Sequence, residues 1–310
     1  MDEADALAEL LGTHGAPNST GAAAEVRPAL KPHRTVMALS SALLLIALWV
    51  WLFSYGLERL ESGDTFGDAF SPMMIESVAN LIIFGGIIMI ALGWARLVAV
   101  RLDGVPMAAR SAALMGLGLG LGGVCFSVLE VWAGGHLTAP ATPVPTSFIA
   151  LLLGSFIILY QSAAEEIFFR GWFLPVAEKA WGWRIAVGTS ALAFAALHVI
   201  GGARSPLSLV NLFLAGALFG LLAVRTRGLI APIAAHFGWN WGEQLLFGLD
   251  PNPGVSVFGA LFDRDLAGSA LWGGGAEGLN ASIAISFVLT ALILPLIVWG
   301  RSVTKFSQPA

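Results

Sequence analysis

Charged side chains and cysteine are what this 310-residue sequence has least of. Asp, Glu, Lys and Arg make up 12% of the chain and hydrophobic residues 57%, with a mean hydropathy of +0.80. An average soluble domain carries roughly twice that charged fraction, so the composition indicates an integral membrane protein. The single cysteine, Cys125, excludes a disulfide framework or a thiolate metal site within one chain.

The chain also lacks a basic surface. Its formal net charge is −4 at pH 7, and no run of Lys and Arg with interleaved aromatic residues occurs. Nucleic acid is therefore not an expected partner, because binding to its phosphates needs clustered positive charge. The expected surroundings are the lipid bilayer.

Long apolar runs dominate the sequence, and a bilayer-spanning helix needs about 20 such residues. The eight runs cover residues 37–56, 73–95, 110–133, 147–177, 184–200, 208–224, 228–248 and 281–300. They predict an all-α, polytopic membrane protein with about eight transmembrane helices. The predicted regions are a mobile cytoplasmic tail (1–35), three helices (36–146), a core (147–248), an extracytoplasmic loop (249–280), and the last helix with a short tail (281–310).

The positions of Lys and Arg predict the orientation of these helices. With the N-terminus inside, 13 of the 16 basic residues fall in inner segments, and only Arg59, Arg204 and Arg264 fall outside. We therefore expect a multi-pass protein of the cell membrane with both termini in the cytoplasm.

The third run contains closely spaced glycines, Gly116, Gly118, Gly120 and Gly122. They give two overlapping G-x-x-x-G spacings, which allow the backbone of another helix to approach closely. We expect a tight helix contact at this surface.

Ionisable residues inside apolar runs cost free energy and therefore indicate function. Such residues are Glu165, Glu166 and Arg170 in the fourth predicted helix, His198 in the fifth and His236 in the seventh, which also carries the polar Asn240. We expect an active site between these three helices.

The heights of these residues along their helices agree. Glu165 lies 13 residues before the turn at 178–184 and His198 lies 14 residues after it. At 1.5 Å per residue, both lie about 20 Å along their helices. His236 and Asn240 lie at about 13 and 20 Å in a helix that rises from the same side.

The spacing of neighbouring residues predicts their local pairing. Glu166 and Arg170 are four residues apart, acid before base, which favours an ion pair and leaves Glu165 free. His236 and Asn240 share a helix face by the same spacing. Glu243, seven residues after His236, is a possible further member of the site.

Two chemistries fit these residues. A carboxylate in an apolar site can act as a general base on water, while a histidine and an asparagine amide stabilise the oxyanion. Glu165, His198 and His236 could instead bind zinc and leave one position open for water. The spacing alone does not choose between them.

The same residues form three short motifs, "EEIFFR" (165–170), "FAALH" (194–198) and "HFGWN" (236–240). They resemble E-E-x-x-x-R, F-x-x-x-H and H-x-x-x-N, the motifs of the CPBP family of CAAX-protease and bacteriocin-processing (Abi) endopeptidases. This family includes the type II CAAX prenyl proteases. The resemblance implies an intramembrane endopeptidase whose partners are membrane-embedded or lipid-modified polypeptides.

The resemblance also implies roles for the matching residues. Glu165 would activate a water together with His198, and His236 and Asn240 would stabilise the oxyanion. Glu166 and Arg170 would support the first motif, and Phe194 would pack beside His198.

We favour a glutamic mechanism without a cofactor, because Asn240 suits oxyanion donation better than zinc ligation. Zinc is the alternative cofactor. A different class of function is a catalytically silent immunity or scaffold protein, or a small-solute transporter, that keeps the polar residues for binding or packing. This second interpretation predicts that activity in cells survives the substitution Glu165→Gln.

Overall fold

The computed structural model describes residues 31–61, 70–98, 106–140, 146–252 and 257–303. Most of the predicted N-terminal tail and the end of the C-terminal tail lie outside these ranges. The α-helices are α1 (Pro32–Glu61), α2 (Pro72–Leu97), α3 (Ala109–Ala133), α4 (Phe148–Glu166), α5 (Leu174–Trp181), α6 (Trp183–His198), α7 (Pro206–Thr226), α8 (Ile230–Trp241), α9 (Ala270–Gly273) and α10 (Ile283–Val303).

Other helical segments interrupt or extend these α-helices. They are the π-helical segments π1 (Ile167–Phe173) and π2 (Gly242–Leu246), and a 3₁₀ segment at Gly275–Ala281. π1 joins α4 to α5 without a break, which explains why the fourth apolar run is overlong. π2 extends α8 in the same way.

The predicted fold class, an all-α polytopic membrane protein, is confirmed. In the described part of the chain, six helices are long and apolar enough to cross a membrane. They are Pro32–Leu57, Pro72–Leu97, Ala109–Ala133, Phe148–Trp181, Pro206–Thr226 and Gly275–Trp299. The predicted count of eight is not confirmed, because α6 and α8 have only 16 and 12 residues.

A single glycine makes the predicted turn between the fourth and fifth runs. Gly182 has φ +79°, a backbone conformation that glycine adopts without strain. α5 therefore ends at Trp181 and α6 starts at Trp183, which reverses the chain within one residue. This hairpin returns His198 toward the glutamates of α4.

The glycines of α3 form the close helix contact that the sequence predicts. A Cβ at Gly116 would lie 2.2 Å from the Ala231 carbonyl oxygen, and one at Gly120 would lie 1.9 Å from that of Ala235. The other two glycines of the pattern, Gly118 and Gly122, have nothing within 4 Å. One glycine face of α3 therefore positions α8, the helix that carries His236.

The segment predicted as an extracytoplasmic loop, 249–280, contains short strands. Leu249–Asp250 (β2) pairs in parallel with Arg264–Leu266 (β3), which pairs antiparallel with Leu137–Thr138 (β1). The sheet order is β1-β3-β2, with Leu137 opposite Leu266 and Leu249 opposite Arg264. This small sheet joins the end of α3 to the segment that follows π2.

An asparagine of α7 forms hydrogen bonds with the start of α10 and the residues just before it. Asn211 Nδ2 donates to the carbonyl oxygens of Asn280 and Ser282, each at 2.8 Å, and its Oδ1 accepts from the Ser286 hydroxyl at 2.6 Å. Asn211 is therefore structural, since these bonds use both its donor and its acceptor groups.

Candidate active site

The three motifs lie at the ends or in the middle of three different helices. Glu165 and Glu166 are the last residues of α4, and Arg170 lies in π1 immediately after them. His198 is the last residue of α6, and α8 carries His236 and Asn240. π-helical segments are rare and often occur at functional sites; here π1 overlaps the first motif and π2 follows the third.

Glu166 joins the first motif to the third. Its Oε1 accepts hydrogen bonds from Arg170 Nη1 at 2.8 Å and from His236 Nδ1 at 2.9 Å. Arg170 Nη2 donates to the Gly216 carbonyl oxygen at 2.8 Å. The side chains of Glu166 and Arg170 are fully buried, so this predicted ion pair is confirmed as an internal one.

Aromatic rings surround these charges. The Phe194 ring centroid lies 4.5 Å from that of His198 and 5.9 Å from that of His236. The Phe219 ring stacks on His236 at 4.7 Å. The Arg170 guanidinium lies 4.9 Å from the centre of the Phe194 ring. Phe194 therefore packs beside His198, as the second motif predicts, and also contacts the charge network.

The hydrogen bonds of the two histidines indicate which ring nitrogen carries a proton. His198 Nδ1 lies 2.8 Å from the Phe194 carbonyl oxygen, and His236 Nδ1 contacts the Glu166 carboxylate. Both partners are acceptors, so Nδ1 is the donor in each ring. Nε2 of each histidine has no hydrogen bond to the described residues and is available to a ligand.

Glu165 differs from its neighbour. Its side chain is 6% exposed, and its Oε2 is buried without a hydrogen-bond partner among the described residues. Asn240 is half-buried, and its amide makes no hydrogen bond to them either. Glu165 thus lies outside the Glu166–Arg170 ion pair, as the helical spacing predicts.

Glu243 does not join the Glu166 network. It lies in π2, is 2% exposed, and its carboxylate takes a hydrogen bond from the Trp239 side chain. Its other oxygen, Oε1, is buried without a partner in the described part of the chain.

The described His and Glu side chains are not grouped as a metal site would require. Across the ranges that the structure describes, no three His, Cys, Asp or Glu side chains are grouped so that they could hold a metal ion. The predicted zinc ligands Glu165, His198 and His236 are thus not assembled as a ligand set.

Two residues of α7 belong to the site but were missed by the sequence analysis. Gly216 supplies the carbonyl that accepts from Arg170, and Phe219 supplies the ring that stacks on His236. Neither belongs to a polar motif, and a Gly and a Phe three residues apart in an apolar helix carry no functional signal of their own.

Fold and site together define a multi-pass membrane protein with a Glu-Arg-His network buried among its helices. Residues 145–242 match the family model described as Type II CAAX prenyl endopeptidase Rce1-like. The match supports the CPBP, or CAAX-protease, assignment that the three motifs predict, and the general function of a CAAX-type intramembrane protease. A comparison with curated proteins found no match.

Proposed function

We propose that the chain is a glutamic intramembrane endopeptidase that hydrolyses a peptide bond in a membrane-associated or lipidated, CAAX-like polypeptide. The observation that carries this proposal is the difference between the two adjacent glutamates. Glu166 Oε1 accepts hydrogen bonds from Arg170 and His236, whereas the Glu165 carboxylate makes no hydrogen bond to the described residues although its Oε2 is buried. A buried carboxylate without any hydrogen bond is unfavourable for the fold, so its presence supports a role in binding or catalysis.

Glu165 is the general base in this mechanism. It takes a proton from a water whose oxygen attacks the carbonyl carbon of the scissile bond, and His198 Nε2 accepts a hydrogen bond from the same water. The Nδ1 bond of His198 to the Phe194 carbonyl keeps the lone pair on Nε2. Glu165 then passes the proton to the leaving amine, which yields a carboxylate and an amine as products.

His236 and Asn240 stabilise the oxyanion. His236 Nδ1 already donates to Glu166, so Nε2 can donate only from an imidazolium ring. The Glu166 carboxylate, which also contacts Arg170, lies against the opposite edge of that ring and would stabilise its positive charge. With the Asn240 amide one helical turn away, the site offers two donors in a low-dielectric environment, where such donors contribute most.

The fold and charge distribution support a location in the cell membrane with both termini in the cytoplasm. The substrate would then enter from the bilayer, as its lipid anchor or apolar segment requires. The proposed mechanism needs no cofactor. The competing metalloprotease mechanism would need a ligand set assembled around Glu165, His198 and His236.

A comparison of new protein termini in membranes tests the proposal without a guessed substrate. Cells carrying the wild-type chain, Glu165→Gln, and Glu76→Gln are compared at matched expression levels. Glu76 is a matched control because its carboxylate accepts from Asn80 within its own helix, at 2.8 Å. Termini present with wild type and Glu76→Gln but lost by about 10²- to 10⁴-fold with Glu165→Gln would identify both the substrate and the bond.

Identical termini in all three membranes would contradict the proposal and support a silent immunity or scaffold protein. Chelator treatment of the same membranes addresses the metal. Proteolysis that survives chelation supports the glutamic mechanism, and proteolysis that stops and returns with added zinc supports the alternative.

A further inference from the structure

Ser162 is a buried hydroxyl that the proposed mechanism does not use. Its side chain is 0% exposed, and its Oγ has no hydrogen-bond partner among the described residues. Hydroxyls inside apolar helices normally bond the carbonyl four residues earlier, and several in this chain do so. They are Ser40, Ser41, Ser77, Ser127, Ser155, Thr189 and Thr226.

The helical spacing shows which way Ser162 faces. Ser155, Ser162 and Glu166 lie at positions i, i+7 and i+11 of α4, which share one helix face at about 100° per residue. Ser155 accepts from Trp241 Nε1 at 2.9 Å, and Glu166 accepts from His236 at 2.9 Å. Both donors belong to α8, so Ser162 faces α8 as well.

The same two contacts give the height of Ser162. α4 and α8 run antiparallel, because Ser155 meets Trp241 and Glu166 meets His236. Ser162 lies between Ser155 and Glu166 in the chain, so it lies level with the part of α8 between His236 and Trp241. Asn240, the proposed oxyanion donor, belongs to that part.

The surroundings of Ser162 contain further unpaired oxygens. Glu165 Oε2 and Glu166 Oε2 are also buried without a partner in the described residues, and they follow Ser162 by three and four positions. Unpaired buried polar atoms are unfavourable and rare. A group of them on one side of a helix indicates a binding partner that supplies the missing hydrogen bonds.

We infer that Ser162 is a substrate-binding residue, which donates or accepts a hydrogen bond with the peptide backbone of the substrate next to the scissile bond. A hydroxyl can pair with either a peptide carbonyl or a peptide N–H. A polypeptide that lies between α4 and α8 would pass Ser162 while its scissile carbonyl faces Asn240. This inference rests on the proposed function and adds to it a contact outside the three motifs.

The affinity of a substrate-like peptide for catalytically inactive protein tests the inference separately from catalysis. The probe is a fluorescent, S-prenylated peptide that ends in Cys-aliphatic-aliphatic-X, and the protein is the full chain in detergent carrying Glu165→Gln. Adding Ser162→Ala should weaken binding about 3- to 10-fold, the loss of one hydrogen bond. Ser127→Ala is the matched control, because Ser127 is equally buried but bonds the Gly123 carbonyl, and it should leave binding unchanged.

Turnover by the otherwise wild-type protein gives the second readout. Ser162→Ala should raise KM by the same factor with little change in kcat, and Ser162→Thr, which keeps the hydroxyl, should recover most of the loss. Unchanged binding would overturn the inference, whether kcat falls or stays the same.

If the peptide is neither bound nor cut, that result counts against the proposed substrate. Thermal unfolding of the substrate-free variants then still tests the premise that the Ser162 hydroxyl has no hydrogen-bond partner in the described residues. Removing an unpaired hydroxyl should leave Ser162→Ala at least as stable as wild type. A clear loss of stability in Ser162→Ala, beyond that of Ser127→Ala, would show that Ser162 is already bonded within the fold and would overturn the inference.

Discussion

At the residue scale, two adjacent and chemically identical side chains have different surroundings. Glu166 Oε1 accepts from Arg170 and His236, while the Glu165 carboxylate makes no hydrogen bond to the described residues. Successive helical residues point about 100° apart, so the two carboxylates point in different directions. The ion pair therefore belongs to the fold as much as to the site, whereas Glu165 is available for chemistry.

Stability measurements should separate the two glutamates. Glu166→Gln leaves Arg170 buried without its counter-charge, which should lower the free energy of unfolding by about 3–5 kcal/mol. Glu165→Gln should change the unfolding midpoint little, because its Oε2 has no partner to lose. Thermal unfolding in detergent measures both variants. Equal destabilisation by the two substitutions would contradict this division.

At the element scale, the position of α8 depends on the glycines of α3. The Ala235 carbonyl approaches so close to Gly120 that a Cβ there would lie 1.9 Å away. His236 is the next residue after Ala235, so the backbone contact fixes the height and rotation of the histidine. A shift of this contact would therefore move the His236 side chain.

The substitution Gly120→Ala should therefore displace α8. Because the clash is with backbone atoms, we expect a lower unfolding midpoint and at least about tenfold less proteolysis, since small displacements of catalytic groups are costly. Gly118→Ala is the matched control, with nothing within 4 Å of the added carbon. The same loss in both variants would show that helix flexibility, and not the close contact, is what matters.

At the scale of the whole molecule, the charge distribution predicts the sidedness of the site. Thirteen of the 16 Lys and Arg lie in segments predicted to be inside, together with the hairpin at Gly182. The small sheet of β1, β2 and β3 would then lie outside. Glu165 lies at the end of α4 that leads through π1 and α5 to the Gly182 hairpin. The charge distribution therefore predicts that the site lies nearer the cytoplasmic side than the start of α4 does.

Cysteine labelling tests this orientation, because Cys125 is the only cysteine to be removed. In a Cys125→Ala background, Leu261→Cys should react with a membrane-impermeant thiol reagent in intact cells. Arg184→Cys, in the hairpin region, should react only after lysis. Both positions are exposed in the structure. The reverse pattern would invert the topology and place both termini outside.

Features that depend on local spacing and composition can be predicted from the sequence alone. Apolar runs predict helices because bilayer lipid cannot satisfy free backbone groups, and helices occur at the eight predicted runs. Glu166 and Arg170 lie one helical turn apart, so helix geometry alone predicts their pairing. The contact of Phe194 with His198 is what the resemblance of the second motif implies.

Contacts between groups far apart in the chain become visible only in the folded molecule. The Glu166–His236 bond joins residues 70 positions apart, and Gly216 and Phe219 enter the site from a helix without a motif. The count of eight spanning helices is not confirmed, because α6 and α8 are short, and the segment 249–280, predicted as a loop, contributes two strands to a small sheet. These features depend on how helices rotate and cross when they pack, which the hydrophobic pattern of one helix does not specify.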